Sequence, residues 1–158
     1  MLTVIGCGNS NRSDDGVGVF IAQSLLAYVS RQGRKDVRVF DAGTSGVEVM
    51  YQARGARQLI IVDAAKSGAQ PGAIFKVPGE ELTIDVEPVL GLHSFRWDHA
   101  IAAGRRIFRD QFPDDVTVYL IESLSLDFGL ELTAPVRESA QKVISEIQRI
   151  IDAYCSGP

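Results

Sequence analysis

Carboxylate side chains follow successive apolar segments of this chain, at the points where predicted strands end. The first segment is followed by Asn9, Asp14 and Asp15, and later ones end at Asp41, Asp63 and Glu122. If the segments form parallel strands, their carboxyl ends meet at one edge of the sheet, where ligands usually bind. Carboxylates gathered there raise one another's pKa unless a cation offsets their charge. The spacing therefore indicates a cation-binding site at this edge.

A nitrogen ligand would shift the preference of such a site from magnesium or calcium towards a transition metal. The chain has two histidines, His93 and His99. His93 lies in a glycine-flanked loop and can reach the same edge, whereas His99 falls inside a predicted helix. The structural alternative is that acidic residues are common at strand ends and helix N-caps, as for Asp14, and that His93 is a solvated loop residue. Both interpretations stay open, because no short ligand motif such as HExxH is present.

The chain alternates between two kinds of apolar segment. Short β-branched runs predict strands at residues 2–6, 37–41, 58–63, 73–77 and 116–121, with a further edge strand at 82–86. Helical spacing predicts helices at 14–30, 47–54, 95–108 and 134–154, the first capped by Ser13 and the last by Thr133. Gly16 and Gly18 indicate a close backbone approach in the first helix. This alternation predicts one α/β domain over residues 1–158, a three-layer fold whose mostly parallel, twisted sheet of about five strands has helices on both faces.

Composition argues against several classes of function. The chain has 158 residues, a net charge of −4 and no basic cluster, so non-specific nucleic-acid binding is not expected. Cys7 and Cys155 lie far apart, which predicts no disulfide and a reducing cytoplasm. We expect neither a signal peptide nor a membrane span, because no apolar run approaches roughly 18 residues. A dinucleotide fingerprint begins at Gly6 and Gly8 but fails at Asn11, where its third glycine belongs.

Separated parts of the chain carry a series of motifs in a fixed order. They are GCGNSNRSDDGVGV at 6–19, FDAGTSGVE at 40–48, LIIVDAA at 59–65, His93, and ESLSLDFGLELTAPV at 122–136. Together, over nearly the whole chain, they resemble the endopeptidases that mature nickel–iron hydrogenases. The chain departs from the family pattern at Asn11, where the family usually has leucine, and at Leu92 and Ser94 beside His93. The second departure indicates a subgroup with its own partner.

The resemblance implies one specific cut, which removes the C-terminal extension from the nickel-loaded precursor of a hydrogenase large subunit. The family's metal-contacting residues fall on Asp15, Asp63 and His93, which would complete the coordination of nickel that the substrate carries. A site with three protein ligands is open, whereas structural metal sites are closed. Asp41 matches an aspartate in a loop implicated in activity, and it joins Asp15 and Asp63 in the expected catalytic set.

Water is the expected attacking group, because no protein nucleophile is evident. A GxSxG motif is absent, and a thiol pair of Cys7 with His93 lacks any cysteine-protease signature. Asp41 is a candidate for orienting or deprotonating the water, or else an acid that caps the turn after its strand. Nickel either polarises the scissile carbonyl or only positions the peptide.

Other classes of function stay open beside this one. They are a non-catalytic checkpoint or chaperone that binds the metal-loaded precursor, a small-molecule hydrolase with a resident metal, and a nucleotide-binding protein. The endopeptidase is preferred because several motifs agree with it in order.

Overall fold

Strands and helices alternate along the chain, as the periodicity predicts. The computed structural model describes residues 1–82 and 95–156. The strands are β1 (Leu2–Cys7), β2 (Val37–Gly43), β3 (Gln58–Ala65), β4 (Ile74–Pro78) and β5 (Asp115–Glu122). The α-helices are α1 (Val17–Gln32), α2 (Gly46–Ala53), α3 (Trp97–Phe108) and α4 (Ala134–Cys155). Short 3₁₀ turns occupy Ser13–Gly16, Gly79–Glu81 and Arg109–Gln111.

The strands form one five-stranded sheet in the order β2-β1-β3-β5-β4. Strands β2, β1, β3 and β5 run parallel to one another, and the edge strand β4 runs antiparallel to β5. Gly6 of β1 pairs with Asp41 on one side and Val62 on the other, so the carboxyl ends of these strands are level. The predicted mostly parallel sheet is confirmed, and its carboxyl edge carries the loops expected to form the site.

Helices cover both faces of the sheet, which confirms the predicted three layers. Leu2 and Val4 of β1 pack in one apolar core with α1 and α4, whereas Ile5 and Cys7 pack in a second core with α2 and α3. The two sets alternate because successive strand residues point to opposite faces. Burying each large side chain contributes roughly 1.5–3 kcal/mol, so the two cores hold the sheet rigidly between the helices.

The start of α1 differs from the prediction by one turn. Residues 13–16 form a 3₁₀ turn, and α1 begins at Val17 rather than near residue 14. Ser13 is not the N-cap: its φ of 49° is left-handed, and its hydroxyl donates to the carbonyl oxygen of Glu131 at 2.9 Å. The prediction was wrong because this serine bonds to a segment remote in sequence instead of to the helix that follows it.

The remaining boundaries differ less from the prediction. Thr133 occupies the N-cap position of α4, but its hydroxyl contacts Asp14 instead of an amide of its own helix. The predicted edge strand at 82–86 falls outside the described residues except for Leu82, which lies in no strand. Among the described helices, none combines the length and apolarity needed to cross a bilayer.

Glycines let the first turn of α1 lie directly against the carboxyl ends of β1 and β3. A methyl group on Gly18 would collide with backbone atoms of Cys7 and Val62, and one on Gly6 would collide with the carbonyl group of Gly18. The close approach expected at Gly18 is therefore confirmed. The contact holds the turn Ser13–Gly16, and with it Asp14 and Asp15, over the edge of the sheet.

Candidate functional site

A pocket lies where β1, β2 and β3 end, and α2 and the start of α3 form its opposite wall. Its lining includes Gly8, Asp15, Thr44, Asp63 and Trp97. Its volume of about 240 Å³ is below the roughly 300–1,000 Å³ of pockets that enclose a drug-sized ligand. The pocket therefore suits part of a larger substrate better than a whole small molecule.

Asp63 is the buried acid of this pocket, with 6% of its surface exposed. Its Oδ1 accepts from the backbone amide of Ala64 at 2.8 Å, and its Oδ2 accepts from the indole Nε1 of Trp97 at 2.9 Å. Burial raises the pKa of Asp63 to about 6, against the lowering effects of the Ala64 amide and of the Arg96 charge. At neutral pH the group is ionised but poorly solvated, so a cation would stabilise it.

Asp15 faces Asp63 across the same pocket. Its Oδ2 accepts from the backbone amide of Asn9 at 3.0 Å, which fixes the carboxylate over the end of β1. Gly8, at φ 130°, leaves room for the backbone of Asp15, because a side chain at this position would overlap the Asp15 carbonyl group. The negative charge of Asp15 also raises the pKa of Asp63. The structure thus brings together two of the predicted metal-contacting residues.

Asp41 lies at the same edge but outside this pocket. Its side chain is exposed, and its Oδ1 accepts from the backbone amide of Gly43 at 2.9 Å. It lines a neighbouring depression that shares Gly8, Gly43 and Thr44 with the pocket. The hydrogen bond to Gly43 is the turn-capping contact of the structural alternative, and the catalytic role of Asp41 stays a prediction.

Asp14 does not line the pocket. It is fully buried, and its carboxylate accepts from the amides of Leu124 at 2.9 Å, Ser125 at 3.0 Å and Thr133 at 2.7 Å. The hydroxyl of Thr133 lies 2.8 Å from its Oδ2. Asp14 is therefore neither a metal ligand nor a helix cap but an anchor for residues 124–133, and its lone pairs are occupied by these donors.

Glu122 is satisfied in a similar way and also does not line the pocket. Its carboxylate accepts from the hydroxyl and amide of Ser67 and from the amide of Gly68, at 2.7–3.1 Å. These hydrogen bonds, led by the Ser67 hydroxyl, lower the pKa of Glu122. Glu122 lies at the predicted edge, as the last residue of β5. It does not join Asp15 and Asp63, because the loop after β3 folds back and binds it.

Two pocket residues were missed at the sequence level, Arg96 and Trp97. Trp97 is buried and donates to Asp63, and the Arg96 guanidinium lies 3.5 Å from Asp63 Oδ2. Gly46, at the start of α2, packs against the carbonyl groups of Phe95 and Arg96 and so fixes the start of α3 beside the pocket. An arginine and a tryptophan in the first turn of the helix predicted at 95–108 were the available signal, but only the tertiary fold shows that they reach Asp63.

The histidines and cysteines add no further ligand among the described residues. His93 lies outside them, so its predicted contact is not placed, and His99 lies in α3 as predicted. Within residues 1–82 and 95–156, His, Cys, Asp and Glu form no group of three arranged to hold a metal ion. Burial and the nearby charge of Asp63 raise the pKa of the Cys7 thiol, which disfavours a thiolate nucleophile.

Sequence comparison identifies proteins similar to this chain. Residues 19–150 match the profile of a family described as hydrogenase maturation protease. The chain is 26% identical over 155 residues to the hydrogenase expression/formation protein HupD of Rhizobium leguminosarum, covering 97% of this chain and 75% of that protein. It is 26% identical over 148 residues to the hydrogenase 2 maturation protease of Escherichia coli, covering 92% of this chain and 87% of that protein.

The fold is similar to that of a solved protein of the same description. The hydrogenase maturating endopeptidase HybD from E. coli superimposes with a TM-score of 0.77. The match has 23% sequence identity and covers 97% of this chain and 93% of HybD. At this identity the similarity supports the α/β fold alone.

We expect Asp14→Ala to lower the free energy of unfolding by about 3 kcal/mol or more, because several buried donors would lose their acceptor. Urea denaturation at neutral pH measures the loss. The control Asp127→Ala removes an exposed carboxylate from the same segment and should change stability by no more than about 0.5 kcal/mol. Equal effects of the two variants would contradict the anchoring role of Asp14.

We expect the stability of Asp63→Asn, relative to the native protein, to increase with pH. The folded state raises the pKa of Asp63 from 3.8 to about 6, so the native protein binds this proton more tightly when folded and loses stability as pH rises through that window. The difference should grow by up to about 3 kcal/mol between pH 4 and 6.5, at roughly 1.4 kcal/mol per pKa unit. Urea denaturation across this range measures the difference in stability. The variant Asp114→Asn, at an exposed residue, corrects for the general loss of one charge. A difference independent of pH would contradict the raised pKa.

Proposed function

The chain belongs to the hydrogenase maturation protease family, and from this premise we propose that it removes the C-terminal extension of a nickel-loaded large-subunit precursor of a nickel–iron hydrogenase. The observation that carries the proposal is the pair of Asp15 and Asp63 in one pocket at the carboxyl edge of the sheet. The modest size of this pocket favours a polypeptide that enters it with one segment only.

Nickel is recognised as part of the substrate. Asp15 and Asp63 offer carboxylate oxygens to the ion, and His93 supplies the third contact from the segment between β4 and α3. Asp63 Oδ1 accepts only from the Ala64 amide among the described residues, which leaves a lone pair for a cation, whereas Oδ2 accepts from Trp97 and, at 3.5 Å, from Arg96. Arg96 balances part of the charge before substrate binds, and its side chain is 63% exposed, so it can move aside.

Peptide cleavage uses water, with Asp41 as the group that orients or deprotonates it. An exposed carboxylate beside the pocket can accept a proton from water and return it to the leaving amine. The amide of Gly43 holds Asp41 in place for this task. In this proposal nickel is the recognition element that admits the substrate, whether or not it also polarises the scissile carbonyl.

The cytoplasm is the proposed compartment for this reaction. Cys7 and Cys155 are both free thiols, which fits a reducing environment. Enzyme and precursor would meet there before the mature hydrogenase is assembled.

Substitution of Asp63 tests the assignment of the pocket. We expect Asp63→Asn to slow the processing of nickel-loaded precursor by at least about 100-fold, because one contact to the ion is weakened. Mass spectrometry of the precursor follows the loss of its C-terminal peptide, and Asp114→Asn is the matched control. Normal processing by Asp63→Asn would remove Asp63 from the site. A native protein that binds the precursor but releases no peptide would instead be a non-catalytic checkpoint.

Precursor without nickel tests the sensing mechanism separately. We expect the native protein to cleave it at least about 100-fold more slowly than nickel-loaded precursor, because the acidic pair then lacks the cation it recognises. The two precursors are compared at equal concentration by the same mass assay. Equal rates would exclude nickel sensing, and a stoichiometric metal in the purified protein alone would favour a hydrolase with a resident ion.

A further inference from the structure

The pocket that contains Asp15 and Asp63 is the first of three adjoining depressions. It shares Gly8, Gly43 and Thr44 with the depression beside Asp41. That depression in turn shares Ser10 and Val19 with a third one, which lies between α1 and the segment before α4. These adjoining depressions form a row from the acidic pocket, past Asp41, to the side of α1, and we refer to this row as the groove.

The two ends of the groove differ in chemistry. The middle is polar and is bordered by short residues such as Gly8, Ser10 and Thr44, which leave room for an extended main chain. The far end contains the apolar side chains of Phe20, Leu130 and Leu132, and its polar border includes Gln23, Glu131 and Arg137. A polar middle followed by a more apolar end suits a polypeptide whose backbone crosses the middle and whose apolar side chain enters the far end.

The wall at the far end exposes apolar side chains to water. Leu130 is 81% exposed and its neighbour Phe128 is 88% exposed. Neither side chain contributes much to the core, so the folded state gains little from placing them there. Exposed apolar groups that adjoin a groove are typical of interaction sites.

This wall is already ordered in the free protein. The amide of Ser13 donates to the carbonyl oxygen of Gly129 at 2.8 Å, and the amide of Gly129 donates to the carbonyl oxygen of Asn11 at 3.0 Å. Asp14 holds both ends of the same segment through Leu124 and Thr133. Binding would therefore cost little ordering of this segment, which favours affinity.

We infer that the groove holds an extended stretch of the substrate polypeptide next to the scissile bond, with an apolar side chain of that stretch bound between Phe20, Leu130 and Leu132. The inference rests on the proposed function, because a peptide bond held at the acidic pocket must send its flanking chain out along the surface. The groove is continuous with that pocket and leads away from it. It thereby becomes a determinant of which precursor the enzyme accepts.

Leu130→Glu is the direct test, because this exposed residue can change without disturbing the core. We expect KM for the precursor to rise about 10-fold or more while kcat changes less than about 2-fold, as for lost ground-state binding. Leu130→Met should keep the native KM, and Ile107→Glu, on α3 with 62% of its surface exposed, is the matched control. Ser10→Trp, which fills the middle of the groove, should raise KM as well.

Each outcome separates the inference from the proposed function. If the native protein cleaves the precursor and Leu130→Glu matches Ile107→Glu, the groove inference is wrong and the proposed function stands. If the native protein releases no peptide, the proposed function fails. The groove is then tested by binding alone: weaker affinity of Leu130→Glu than of the native protein for the precursor supports it, and equal affinity contradicts it. If Leu130→Glu dissociates a native dimer and leaves KM unchanged, the far end is a self-association surface and the inference is overturned.

Discussion

Direct backbone contact between the start of α1 and the ends of β1 and β3 determines the geometry of the acidic edge. Gly6 and Gly18 permit the contact, since a methyl group on either would meet backbone atoms that have no room to move. Because the helix lies so close to the sheet, the turn before it places Asp15 within electrostatic range of Asp63. A larger separation would leave the two carboxylates without influence on each other, and a single cation could not contact both.

Carboxylates at the same sheet edge have different roles because their hydrogen-bond donors differ. Asp14 and Glu122 accept several donors each from loops that fold back on them, so their charges are satisfied inside the protein. Asp63 accepts from the Ala64 amide, the Trp97 indole and, at 3.5 Å, the Arg96 guanidinium. These donors do not offset its burial, which raises its pKa. Of the three buried carboxylates among the described residues, the least satisfied is Asp63, which lines the pocket, and this is where an incoming cation gains the most.

Residues whose environment is local could be predicted from the sequence, and residues whose partners are distant could not. The apolar runs of β1, β3 and β5 and the stripe of α4 depend on short-range periodicity, so the fold class and the meeting of Asp15 with Asp63 followed from them. Ser13 was misassigned because its hydroxyl bonds to Glu131, far along the chain. Arg96 and Trp97 were missed for the same reason, since nothing in their spacing indicates Asp63 as a partner.

The anchoring of residues 124–133 by Asp14 also bears on how the protein is made. The hydrogen-bond donors to Asp14 lie 110 to 119 residues further along the chain. They therefore become available to this carboxylate only when most of the polypeptide has left the ribosome. Contacts of such long sequence separation form late, because the loop between them must close first. A nascent chain can therefore build β1, α1 and β2 early, whereas one wall of the groove is completed only when the last strand and helix are in place.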